Sequence, residues 1–279
     1  MLSFRVSLPW QQYLLVCLVG KSVGAMASSL VIGLRSVFAV LGCLMLATLI
    51  YTISIDDLPF RKDLLTPWMV ATLVDFYINV VPLAAWILYK EPKWITAILW
   101  IILLVCFGSI TTCAYILMQL LKIPSEENLQ DPMNYVLLRH PGKDDTQQKR
   151  NHSSVVTLRI LFIILGCLML GTLVYTLLTD GSPFRKELLT PWMIATLVDF
   201  YINVVALSVW VYYKESSWIS AMIWIILLIS FGSITTSVYI ALKLFQLTSQ
   251  DPIYLVLLNS YSGYRHGIYK ETIVTKQIQ

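Results

Sequence analysis

The sequence predicts an all-α membrane protein: six transmembrane helices forming two homologous three-helix units, related as inverted repeats, with a further hydrophobic segment at the N-terminus. Three observations carry this. The 279 residues are 57% hydrophobic and only 13% charged, where a soluble chain carries about 25% charged residues. Residues 35–121 align without a gap on residues 159–245, with roughly two-thirds of positions identical, the mark of a duplicated unit. The segment between the units has no apolar run of the ~20 residues a spanning helix needs.

The composition also excludes classes. The net charge is +4, but Lys and Arg are scattered over loops and tails, which fits the flanks of spans and gives no nucleic-acid footprint. The five cysteines, Cys17, Cys43, Cys106, Cys113 and Cys167, lie in apolar stretches without a Cys-x-x-Cys. His140, His152 and His266 have no partner spacing. Neither a disulfide framework nor a zinc site is expected. No metal or cofactor is implied, and no serine nucleophile with a base or redox cysteine pair points to an enzyme.

Residues 1–34 form an N-terminal extension. Tyr13 to Leu34 is only weakly apolar, interrupted by Gly20, Lys21 and Gly24. It reads as a signal segment, extra span or anchor, or as sequence upstream of a natural start at Met26. In the first unit, residues 35–121, a span runs from about Arg35 to Ile53. A polar turn through Asp56, Asp57, Arg61 and Lys62 follows, read as a solvated connection. The second span runs from Pro67 to Tyr89; Thr66 is a good N-cap and Pro67 a good first-turn residue. Trp68 at one end, and Trp86 with Tyr89 at the other, are expected as interfacial anchors. The third span runs from about Trp94 to Leu121. Residues 122–158 are a polar linker, carrying an Asn151-His152-Ser153 glycosylation pattern too close to the next span to favour use. The second unit, residues 159–245, repeats the spans, and residues 246–279 form a polar tail. Asp131-Pro132 and Asp251-Pro252 open similar sequences after each unit.

Three crossings per unit with a non-crossing linker would turn the second unit upside down, about an axis in the membrane plane. Lys and Arg from Met26 onward then divide nine and nine between the two sides, which sets no orientation. A re-entrant third segment would instead make the units parallel.

The candidate site lies on the second span. Asp75 is about 12 Å along the helix from Pro67, near the middle of a roughly 30 Å hydrocarbon layer. Asn79 and Thr72 share its face, as Asp199, Asn203 and Thr196 do in the second unit. An intramembrane carboxylate must face protein or water, so both aspartates are expected inward, facing each other across the axis. The opposite face, with Phe76, Val80, Leu83 and Ile87, is expected to meet lipid. In the third span Gly108 and Thr112, and Gly232 and Thr236, have the small-xxx-small spacing of close helix packing, with cavity lining as the other role. Gly42 and Gly166 in the first span read as packing positions too.

The runs TPWMVATLVDFYINVVPLAAW and LWIILLVCFGSITTCAY and the Gln-Asp-Pro tail resemble a plant family of multi-pass membrane proteins known as domain of unknown function 1475, over nearly everything from Met26 to Leu258. The resemblance implies a plant membrane protein with a start near Met26, and it implies no activity. Two functions remain open. One is a small transporter or channel binding an ion, proton or polar solute at Asp75, Asn79, Asp199 and Asn203. The other is a non-transporting scaffold or assembly factor whose polar residues only pack helices. The transporter reading requires a polar cavity at the aspartates.

Overall fold

A computed structural model describes residues 10–58, 61, 64–123, 132–139, 155–248, 251 and 253–257, with side chains from Ser29 onward. Asn151, the three histidines, the side chain of Cys17 and most of the linker and tail lie outside the described residues.

The described chain is helical, and its two halves match element for element. Helix α1 spans Trp10–Asp56, α2 Pro67–Lys90, α3 Trp94–Phe107 and α4 Ser109–Leu121. A short helix, α5, covers Pro132–Leu137. The second half repeats the pattern with α6 at Val155–Asp180, α7 at Pro191–Lys214, α8 at Trp218–Phe231 and α9 at Ser233–Phe245, then a 3-10 turn at Ile253–Val256. Four helices are long and apolar enough to cross a membrane: Ser29–Asp56, Pro67–Lys90, Val155–Asp180 and Pro191–Lys214. The protein is therefore a multi-pass integral membrane protein.

The caps read from sequence are in place. Thr66 accepts a hydrogen bond from the Met69 amide at 3.2 Å, and Thr190 from Met193 at 3.2 Å, with proline in the first turn of each helix. The outer helices bury one narrow seam. On α1 it is Val31, Phe38, Met45 and Thr52; on α6 it is Val155, Phe162, Met169 and Thr176. Both repeat every seven residues, a helix riding on its neighbours along one stripe while its other faces meet lipid. Gly42 lets α1 approach α4, since a Cβ there would lie 3.3 Å from the Cys113 Cβ. Gly166 does the same against Ser237, at 3.3 Å.

The third segment does not cross. It breaks at Gly108 (φ 52°, ψ −126°) and at Gly232 (φ 52°, ψ −125°), and the chain returns the way it came. The rings of Trp100 and Tyr115 stand 5.1 Å apart, where one straight helix would hold those residues about 22 Å apart. Trp224 and Tyr239 repeat the contact at 5.0 Å. The Arg35 guanidinium, within α1 where the repeat unit begins, donates to the Leu120 carbonyl at the end of α4 at 2.7 Å. The start of the unit and its end thus share one side.

This corrects the expectation of six spans in inverted repeats. Each unit crosses twice and then inserts a hairpin of two half-helices, and two is an even number. The units run in the same direction, related by a pseudo-two-fold axis along the bundle. Trp68, Met69, Trp192 and Met193 form one cluster where α2 and α7 begin. At the opposite end of the bundle Tyr89 stacks on Tyr254 at 6.4 Å. The central pair α2 and α7 touch each other; α1 packs on α4 and α7, and α6 on α9 and α2.

Two smaller expectations also change. Phe76, Val80, Leu83 and Ile87 are buried core rather than lipid-facing, because α2 is a central helix with neighbours on several sides; Val70, Tyr77, Ala85 and Leu88 are among its exposed positions. Trp68 and Trp192 are buried in the axial contact, and Trp86 packs on Tyr115 with ring centroids 5.1 Å apart. Among the residues with described side chains, the exposed tryptophans are Trp94 and Trp218, 70% and 71% accessible at the mouths of the hairpins, where membrane-interface anchors belong.

Candidate functional site

A break inside a membrane helix strands backbone donors, and in hydrocarbon each must find a protein partner. At both hairpin tips the partner comes from the other unit. Asp199 on α7 accepts the Ser109 amide at the start of α4 at 2.7 Å. Asp75 on α2 accepts the Ser233 amide at the start of α9, also at 2.7 Å. Each carboxylate sits at the positive end of a half-helix, where the helix dipole favours an acidic side chain. The depths agree: α9 rises about 20 Å from one face and Asp75 lies about 12 Å from the other, together close to the roughly 30 Å of the hydrocarbon layer.

The glycines make this approach feasible. A Cβ on Gly108 would overlap the Asp199 carboxylate, standing 2.7 Å from Oδ1. A Cβ on Gly232 would stand 2.8 Å from Asp75 Oδ1 and 2.7 Å from Phe200 Cζ. Backbone at this φ and ψ is also a region that essentially only glycine adopts. Gly108 and Gly232 thus sit at the turn of a hairpin, rather than on the face of a continuous span. Across each bend a threonine hydroxyl ties the halves together, Thr111 to the Leu103 carbonyl and Thr235 to that of Leu227, both at 2.9 Å.

One turn beyond Asp75, Asn79 accepts the Thr236 hydroxyl at 2.6 Å. Its counterpart Asn203 is fully buried with neither end of its amide bonded, and the Thr112 hydroxyl is likewise unbonded. The Ser237 hydroxyl adds a further buried polar atom without a partner. The two related sites are therefore alike in their caps and different in their amides. Thr72 and Thr196 do not join them; their hydroxyls donate at 2.9 Å to the carbonyls of Trp68 and Trp192 in their own helices. The carboxylates face hairpin tips rather than each other.

A second polar pair lies at the hairpin mouths. The Tyr115 hydroxyl donates to Glu91 at 2.9 Å, and that of Tyr239 to Glu215 at 2.8 Å. Gln119 adds a 3.4 Å hydrogen bond to Glu91, whereas at its repeat position Lys243 makes a 2.6 Å salt bridge to Glu215. Burial alone would raise the Glu215 carboxyl; hydrogen bonds from Lys243, Tyr239 and Ser220 outweigh it and hold the group below its ordinary range. The recurrence of Glu and Tyr at matching repeat positions was the available signal, but it points to a contact only once the third segment is known to fold back.

An apolar cavity lies elsewhere, between the two units toward the hairpin mouths. Its wall is apolar, with Pro82, Leu83 and Trp86 from one unit facing Ala206, Leu207 and Trp210 from the other. Neither aspartate lines it.

The family described as "Protein of unknown function (DUF1475)" matches residues 25–263. No curated protein and no solved structure matches the chain.

Proposed function

Because the chain belongs to the DUF1475 family, whose description brings no activity with it, its role is read from geometry, and we propose a non-transporting membrane scaffold whose intramembrane Asp and Asn residues lock helices together. The observation that carries this reading is the crossed pair of caps, Asp75 on Ser233 and Asp199 on Ser109. Each carboxylate already has a structural partner, and each joins one unit to the hairpin of the other. Support also comes from the cavity between the units, which is apolar and bypasses both aspartates.

Substitution separates a cap from a carrier. Asparagine caps helices about as well as aspartate, whereas alanine loses about 1 kcal/mol or more. A proton or cation carrier tolerates neither. The experiment compares wild type, the double variant Asp75→Asn/Asp199→Asn and Asp75→Ala in sealed vesicles, with proton, sodium and potassium flux and thermal unfolding measured on each. The expected result is wild-type flux equal to that of empty vesicles, an asparagine variant with nearly unchanged unfolding temperature, and an alanine variant several degrees lower at about 2–4 °C per kcal/mol. Wild-type flux that the asparagine variant abolishes while staying folded would overturn the proposal.

A second reading rests on the unbonded amide of Asn203 and the hydroxyls around it. Buried polar groups are normally satisfied by protein, water or an ion, and this cluster would suit a small cation, a proton pathway or a small polar solute at the repeat interface. The same flux measurement distinguishes it.

A further inference from the structure

The axial cavity is a feature that the scaffold reading leaves unused. It offers about 180 Å³ to a guest and is open at one side, comparable with an apolar cavity of about 150 Å³ that stays dry and takes up benzene. Matching residues of the two units face one another across it, Phe38 with Phe162 and Trp86 with Trp210. The position pair Pro82 and Ala206 keeps its inner end wide, one turn beyond Asn79 and Asn203. The sequences that echo after each unit close its outer end: Met133 and Val136 of α5, and Ile253 and Val256 of the 3-10 turn. These roof segments are fastened by the last lysine of each central helix. Lys90 donates to the Tyr135 carbonyl at 2.7 Å and Lys214 to that of Leu255 at 2.9 Å.

We propose that this axial cavity holds an acyl chain of a membrane phospholipid, whose headgroup stays outside at the hairpin-side surface. Protein interiors are close-packed, and a void of this size in an apolar core is strongly destabilising. Water is a poor occupant because it needs two to four polar partners, and the wall is almost wholly carbon. A polar ligand would find the unbonded indole N–H of Trp210 and little else to orient it; the Trp86 indole N–H already donates to the Leu137 carbonyl at 3.2 Å. The medium around the four spans is hydrocarbon, so the occupant in greatest supply is a lipid tail. The tail of a phospholipid fits better than a whole fatty acid, since among the described residues no cationic side chain lines the cavity to meet a buried carboxylate.

The test uses the full chain in phosphatidylcholine vesicles containing a small fraction of phosphatidylcholine with a diazirine at the middle of one acyl chain. After illumination, adducts are mapped by peptide sequencing. Adducts are expected on Leu83, Trp86, Leu207 and Trp210, beside those on the lipid-facing Leu44 and Leu168. Ala206→Trp fills the inner end, and the cavity adducts should fall about ten-fold, as expected when side-chain bulk takes the space of a guest; adducts on Leu44 and Leu168 should not change. Ala85→Trp, at an exposed position on the cavity wall, repeats the measurement should Ala206→Trp fail to fold. A parallel arm supplies a free fatty acid with the same diazirine. Cavity adducts no stronger than those on Leu44 and Leu168 would overturn the proposal. So would adducts that both tryptophan variants leave unchanged, or labelling by the fatty acid in preference to the phospholipid.

Discussion

Gly108 and Gly232 each meet two demands, a positive φ and the close approach of a carboxylate from the other unit. Alanine at either position is expected to lower stability by about 2–3 kcal/mol, from a backbone region that only glycine adopts freely, and more if the cap is displaced; unfolding in mild detergent measures it. Glu215 makes a pH-dependent contribution. Its folded pKa lies below the ordinary 4.5, so its stabilisation is fully present above that value and is lost as pH falls through the lower folded one. The wild-type unfolding temperature should therefore drop on acidification below about pH 4.5. Lys243→Gln, which copies the Gln119 of the first unit, should lower stability by about 1 kcal/mol at neutral pH and flatten the acid limb. Thermal melts across pH 3 to 7 (roughly the carboxylate range) would detect both effects.

At the scale of the element, much of each unit was legible. Thr66-Pro67 and Thr190-Pro191 mark the starts of α2 and α7 because side-chain capping and a fixed φ are local properties. The hairpin was not legible, because hydropathy reports the length of an apolar run and says nothing of its direction. Residues 94–121 have the length of one tilted span, and Gly108 with Thr112 has the spacing of a packing motif. The signal for the break was Gly-Ser-Ile-Thr-Thr read as a helix N-terminus instead. Asp75 was legible as inward-facing, but its partner in the other unit was not, since nothing local records it. The fold-back is directly testable. Glu91 and Gln119 lie within hydrogen-bond reach, whereas a through-going helix would separate them by about 40 Å. Cysteines at both positions should cross-link efficiently with a short bifunctional reagent, and failure would restore the spanning segment.

For the whole molecule, two crossings per unit change the charge pattern from balanced to one-sided. Among the described residues the hairpin side carries Arg35, Lys90, Lys93, Lys122, Arg139, Arg159, Lys214 and Lys243, and the loop side Arg61, Arg185 and Lys186. Cytoplasmic loops are enriched in Lys and Arg, so the hairpin side is expected to face the cytoplasm. Single cysteines replacing Arg61 and Arg185 should both react with an impermeant maleimide from outside the cell, and those replacing Lys93 and Ser217 only after permeabilisation. Reaction of Arg61→Cys and Arg185→Cys from opposite sides would refute the parallel arrangement. The crossed caps also bear on how the units assemble. A lone unit would leave its hairpin tip uncapped, so one unit is complete only beside a second. Two copies of a single unit, inserted the same way round, would make between them the contacts that this chain makes internally, and joining them would need only a connecting peptide on one face of the membrane, with no reversal of insertion.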